Sequence, residues 1–139
     1  MKYCLVGAIA MMGFGAMSLA QTPVLNEMMS SNQLAHVDDF FESDDWVEIY
    51  YPGGLLDLAG HHISDDPTNL TKYTFPDSDP GSTFMTPGDH LLVWCDNDSV
   101  QGVLHANFKL SAENEGVWLT APDGVTVLDS IVYLSLIHI

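Results

Sequence analysis

The sequence predicts an all-β sandwich, and three observations carry that reading. Short runs with a two-residue apolar period recur along the chain. The clearest is Trp46 to Tyr51, with Val47 and Ile49 on one face and Glu48 and Tyr50 on the other. Turn-forming pairs punctuate these runs at Pro52-Gly53-Gly54, Pro80-Gly81, Pro87-Gly88 and Asp123-Gly124. No stretch carries the 3.6-residue period of an amphipathic helix, so layers of strands are the way left to bury the apolar residues.

The elements follow in order. Val24 to Met29 reads as the first strand, and Ser30 to Asp45 as a long polar and acidic loop with one helical turn near Leu34 to Val37. Trp46 to Tyr51 is the second strand. After the glycine break, Leu56 to Ile63 is expected to be one further strand. Lys72 to Phe75 is a short strand stopped by Pro76, and Asp77 to Gly88 is expected to be loop. Leu91 to Cys95 is nearly continuous in apolar residues, the pattern of a central sandwich strand. Leu104 to Leu110 leads into a strand at Gly116 to Thr120, and the turn at Asp123-Gly124 returns the chain as Val125 to Tyr133.

The ends read differently. Lys2 followed by an apolar run from Leu5 to Leu19, closing on Ser18-Leu19-Ala20, has the pattern of a Sec-type signal peptide over residues 1–20, which implies export. Cys4 precedes the apolar run, which argues against a lipoprotein. The final LSLIHI, Leu134 to Ile139, resembles the translation of a sequencing adapter and is expected to be an artefact. What remains, residues 21–133, is the size of one sandwich domain.

Several segments together resemble a known family. These are VLNEMMSSN at the first strand, DWVEIYYPGG and LDLAGHHISDDP across the glycine turn, YTFP and PGDHLLVW in the middle, and NFKLSAENEGVWL with DGVTVLDSIVY at the end. Taken in this order they resemble the bacterial lamin tail domain. The resemblance implies an immunoglobulin-like β-sandwich over residues 21–133. It implies a non-catalytic interaction or attachment module, secreted or at the cell surface, with an unidentified protein or glycan as partner. Modules of this family are often joined to secreted hydrolases or spore-coat-type kinases, so the alternative is an accessory domain at the front of an extracellular enzyme. A calcium-stabilised adhesin domain is a further alternative. One departure stands out: His61 and His62 occupy the place where members often carry an aromatic residue after the glycine of the third strand.

Charge excludes one class of partner. The chain has 19 Asp and Glu against 3 Lys and Arg, a formal net charge of −16. With Lys2 in the signal peptide, Lys72 and Lys109 are the basic residues left, and there is no Arg. Phosphate contacts need such side chains, so nucleic acid and anionic lipid are disfavoured. The chromatin association of animal lamin tails is accordingly not expected here. Cys95, the cysteine outside the signal peptide, sits at the end of an apolar strand beside Asp96 and Asp98. It has no cysteine with which to form an internal disulfide and no cationic surroundings to make it reactive.

No catalytic set stands out. Asp38, Asp39, Glu42, Asp44 and Asp45 in one loop, with Asp65 and Asp66 in another, read as a solvated acidic face, with calcium as the alternative. Their spacing is not that of an EF-hand loop. His61 and His62 are neighbours on a strand and point to opposite faces, so they do not ligate one metal together, and one is expected to replace a packed ring. Glu27 with Asp129 would be an acid–base pair on paper, and Ser64, His62 and Asp66 a triad, but nothing local marks a nucleophile. Asp96-Asn97-Asp98 reads as a turn. Trp46, Trp94 and Trp118 are expected to fill the core, while an exposed row of them, or Tyr50 and Tyr51 at the glycine turn, would suit sugar stacking. No cofactor is expected.

Overall fold

The structure, a computed structural model, describes residues 21–33, 36–111 and 113–135. The expected signal peptide, the first half of the expected helical turn (Leu34 and Ala35), and the last four residues of LSLIHI lie outside these.

The described chain is mostly strand, in antiparallel sheets, with almost no helix. One sheet has three strands in the order β1 (Val24–Met29), β2 (Asp45–Tyr51), β7 (Asp89–Cys95). The other has four, in the order β5 (Tyr73–Thr74), β4 (His62–Ser64), β8 (Glu113–Thr120), β9 (Val127–Ser135). A third, two-stranded piece joins β3 (Leu56–Asp57) to β6 (Phe84–Met85). The inner faces of the two larger sheets meet in one apolar core. Val47, Ile49, Val93 and Cys95 come from one side, Ile63, Tyr73, Val117 and Leu119 from the other, and Leu58, Phe75 and Met85 fill the end. Full burial of each such aliphatic side chain contributes roughly 1.5–3 kcal/mol. The sandwich-like, all-β reading therefore holds.

The two-residue period sets which side chains enter this core. Val47, Ile49 and Tyr51 face inward, while Trp46, Glu48 and Tyr50 face outward and meet Trp94, Leu92 and His90 across the ladder. Trp46 and Trp94 are buried, yet outside the main core cluster. The chain before β2 closes over this face, where the ring of His36 meets Trp46 edge-on at 5.3 Å. Trp118 is half-buried and lies over Gly116, so the expectation that all three tryptophans fill the core fails for it.

Several boundaries differ from the sequence reading. The expected strand Leu56 to Ile63 is two strands in different sheets, because the chain turns at Gly60 with φ +82°. The expected loop Asp77 to Gly88 contains a one-turn helix α1 (Pro80–Thr83), with Pro at its start, and β6. Strand β7 is at the edge of its ladder rather than at the centre. Its end is apolar because both faces are covered, Val93 and Cys95 entering the core and Trp94 being buried on the other side, while residues 104–109 run beside it, with Trp94 N–H donating to Leu104 O and Ala106 N–H to Trp94 O. Strand β9 starts two residues later than expected and runs through Ser135, which pairs with Glu113.

Candidate functional site

The acidic loop ahead of β2 folds back on one of its own carboxylates. Asp38 Oδ1 accepts the backbone N–H groups of Phe40 at 2.8 Å and Glu42 at 2.9 Å. The Asp38 N–H donates to Glu42 O, and the Phe41 N–H to Asp38 O. This closes a tight loop that forces Phe41 to φ +64°, a conformation that bulky residues seldom adopt. Asn32 ties the loop to the frame, its side-chain amide donating to His36 O and Asp44 O.

Two distant residues join this loop. Asp96 follows the last residue of β7, and His105 is carried opposite Trp94 by the bridge described above. Asp96 Oδ2 and His105 Nδ1 are in direct hydrogen-bond contact. Asp96 Oδ1 accepts the Asp98 N–H at 2.9 Å, so the expected turn at Asp96-Asn97-Asp98 is present, with Asn97 at φ +59°. Asp38 (6% exposed), Asp96 (6%) and His105 (7%) bring ligand atoms within 4.8 Å of one another. Asp38, Glu42 and Asp44 form a second such group sharing Asp38.

The electrostatics follow from this crowding. The Asp44 carboxyl is raised above its ordinary value, first by burial and then by Asp96, Glu42 and Asp38, with Lys109 opposing. Burial, with Asp96 adding to it, pushes the Tyr73 phenol up to about 12. His105 also lines a cavity of about 220 Å³ whose wall includes Asp39, Asp79, Ser82, Trp94 and Gln101. Large apolar side chains stand outside the carboxylates. Val37, Phe40, Phe41 (88% exposed) and Val100 (92% exposed) project from the two loops, which are joined by a hydrogen bond from Gln101 Nε2 to Glu42 Oε2 at 3.0 Å. The ring of Phe40 meets that of His105 edge-on at 5.9 Å.

Of the acidic residues singled out in the sequence, the structure brings Asp38, Glu42 and Asp44 together and sets Asp39 in the adjoining cavity wall. Asp45 is drawn inward instead, accepting the Asn32 N–H. Asp65 holds Lys72 at 2.6 Å, and Asp66 caps the Thr68 N–H and hydroxyl. His61 is buried, while His62 Nδ1 hydrogen-bonds Thr74 Oγ1, so the two part as expected. The Ser64 hydroxyl is held by Asp66 and Asn69 backbone groups rather than by His62. Asp129 accepts the Leu25 N–H, while Glu27 is exposed opposite Glu48, so no acid–base pair forms. Cys95 is fully buried, and burial, with Asp45 and Asp96 adding to it, pushes its thiol well up. Asp96 and His105 were missed as site residues. Asp96 carried a turn signal, and His105 sits alone among apolar residues.

No family model, curated protein or solved structure matches the chain. Among the described residues, no helix is long and apolar enough to cross a membrane. Fold and site together define an antiparallel β-sandwich-like protein with a carboxylate–histidine cluster beneath apolar loop tips.

Proposed function

We propose that this chain is an exported, non-catalytic interaction module of the immunoglobulin-like, lamin-tail-like type, and that it binds through the loops at the Asp38 end. The observation that carries this reading is the exposure of Val37, Phe40, Phe41 and Val100 on two loops fastened to each other and to a packed sandwich. Loops on a rigid frame are where binding residues concentrate, and clustered exposed apolar side chains mark contact surfaces. The surrounding carboxylates favour a neutral or cationic protein or glycan surface over a polyanion.

The test is direct binding of the purified chain to a panel of cell-wall polysaccharides and surface-protein fractions, read by co-sedimentation. Saturable binding to one component that resists added salt is expected, because apolar contacts carry it. Failure to bind any of them, or binding abolished by moderate salt, contradicts the reading.

A further inference from the structure

We propose that Asp38, Asp96 and His105 form a binding site for a transition-type divalent cation such as Zn²⁺, with Glu42 and Asp44 on its rim. Of the two oxygens of Asp38, Oδ1 is saturated by the Phe40 and Glu42 N–H groups. Oδ2 is buried and has no hydrogen-bond partner among the described residues. A buried carboxylate oxygen without a partner is strongly unfavourable, and a second buried carboxylate beside it makes matters worse. Here Asp96 is that second group, and Glu42 and Asp44 add two more within reach of Asp38. Lys72 is taken up by Asp65. A divalent cation resolves the surplus of negative charge and gives Oδ2 its partner.

The donor set narrows the ion. Calcium takes six to eight oxygens, and magnesium keeps its water. An imidazole nitrogen with carboxylate oxygens is the set that Zn²⁺ and its neighbours prefer. Asp96 Oδ2 and His105 Nδ1 already stand side by side, so a cation that displaces the proton between them meets an oxygen and a nitrogen donor together. The cavity whose wall includes His105 and Asp39 supplies a route to the site. This goes beyond the acidic-loop calcium reading, since Asp96 and His105 lie outside that loop and add a nitrogen donor to its carboxylates.

The test is calorimetric titration of the chelator-stripped full chain with ZnCl₂ and, separately, CaCl₂, alongside thermal melting. One Zn²⁺ per chain, a Tm rise of several degrees and clearly weaker binding of Ca²⁺ are expected. Asp38→Asn keeps an oxygen for the Phe40 and Glu42 N–H groups but removes the charge, and should weaken Zn²⁺ at least about tenfold, as should His105→Gln. His90→Gln, on the outer face beside Tyr50, should change nothing. Should His105→Gln fail to fold, visible absorption of Co²⁺ bound to the unsubstituted chain and displaced by Zn²⁺ takes its place. Absence of saturable Zn²⁺ binding, Ca²⁺ binding as tight as Zn²⁺, unchanged affinity in Asp38→Asn, or no displaceable Co²⁺ spectrum each overturns the proposal.

Discussion

Leu25 donates its backbone N–H to Asp129 Oδ2 at 2.7 Å, and this one bond stitches the edge of the three-stranded sheet to the edge of the four-stranded sheet. Strand β1 bulges between Leu25 and Glu27, which releases that N–H from the ladder and turns it toward β9. An ionised acceptor makes such a bond worth about 1.5–3 kcal/mol. Asp129→Ala is therefore expected to lower stability by about that amount in denaturant unfolding, and Asp129→Asn, which keeps an acceptor, by less. Equal losses in both variants would contradict this role.

Gly116 is predicted to tolerate no side chain. A Cβ there would stand 2.6 Å from the Trp118 ring and 3.0 Å from the backbone oxygen of Ile131. The ring can yield only by exposing apolar surface, and the backbone of β9 only by disturbing its ladder. Gly116→Ala is expected to cost about 1–3 kcal/mol in unfolding free energy. A change within about 0.5 kcal/mol would show that Trp118 moves aside freely.

Cys95 is predicted to be inert in the folded chain. Its thiol is buried and pushed well above its ordinary value, so neither access nor the thiolate is available. Labelling by an aromatic disulfide reagent should be negligible under native conditions and complete in denaturant. Rapid native labelling would contradict the burial.

His61 should make the fold sensitive to mild acid. Burial holds its imidazole below the ordinary value of 6.5. The unfolded chain therefore takes the proton first as pH falls through 6.5, and stability that is fully present above that value is lost as pH drops toward the folded pKa. The lowered carboxyls of Asp57, Asp66, Asp89 and Asp123 act in a separate window, below their ordinary 3.8. His61→Phe is expected to flatten the loss of stability that sets in as pH falls below 6.5 in thermal melts. An unchanged slope would contradict the neutral, buried imidazole.

The strands with strict alternation were legible in the sequence. Strand β1 matches residue for residue, and the two faces of β2 fall as the pattern requires. The division at Gly60 was not legible, because LDLAGHHIS carries apolar residues on both sides of the turn. Nor were α1 and β6, since a single turn and a two-residue strand leave no period to read. The acidic loop was legible as a cluster, and it holds Asp38, Glu42 and Asp44 together. Its partners Asp96 and His105 arrive only through the bridge between β7 and residues 104–109. That pairing depends on tertiary structure, and neither residue type nor spacing announces it.

The central claim is that the loop tips at the Asp38 end are the binding surface, and Phe41 tests it most directly. Asparagine tolerates a positive φ, so Phe41→Asn should relieve the backbone and leave Tm unchanged or slightly raised. The measurement is the dissociation constant of this variant, against the unsubstituted chain, for the component retained in co-sedimentation. The account predicts binding at least about tenfold weaker, the loss expected when one well-placed aromatic anchor is removed. Unchanged affinity, with Tm preserved, would place the binding surface elsewhere on the sandwich.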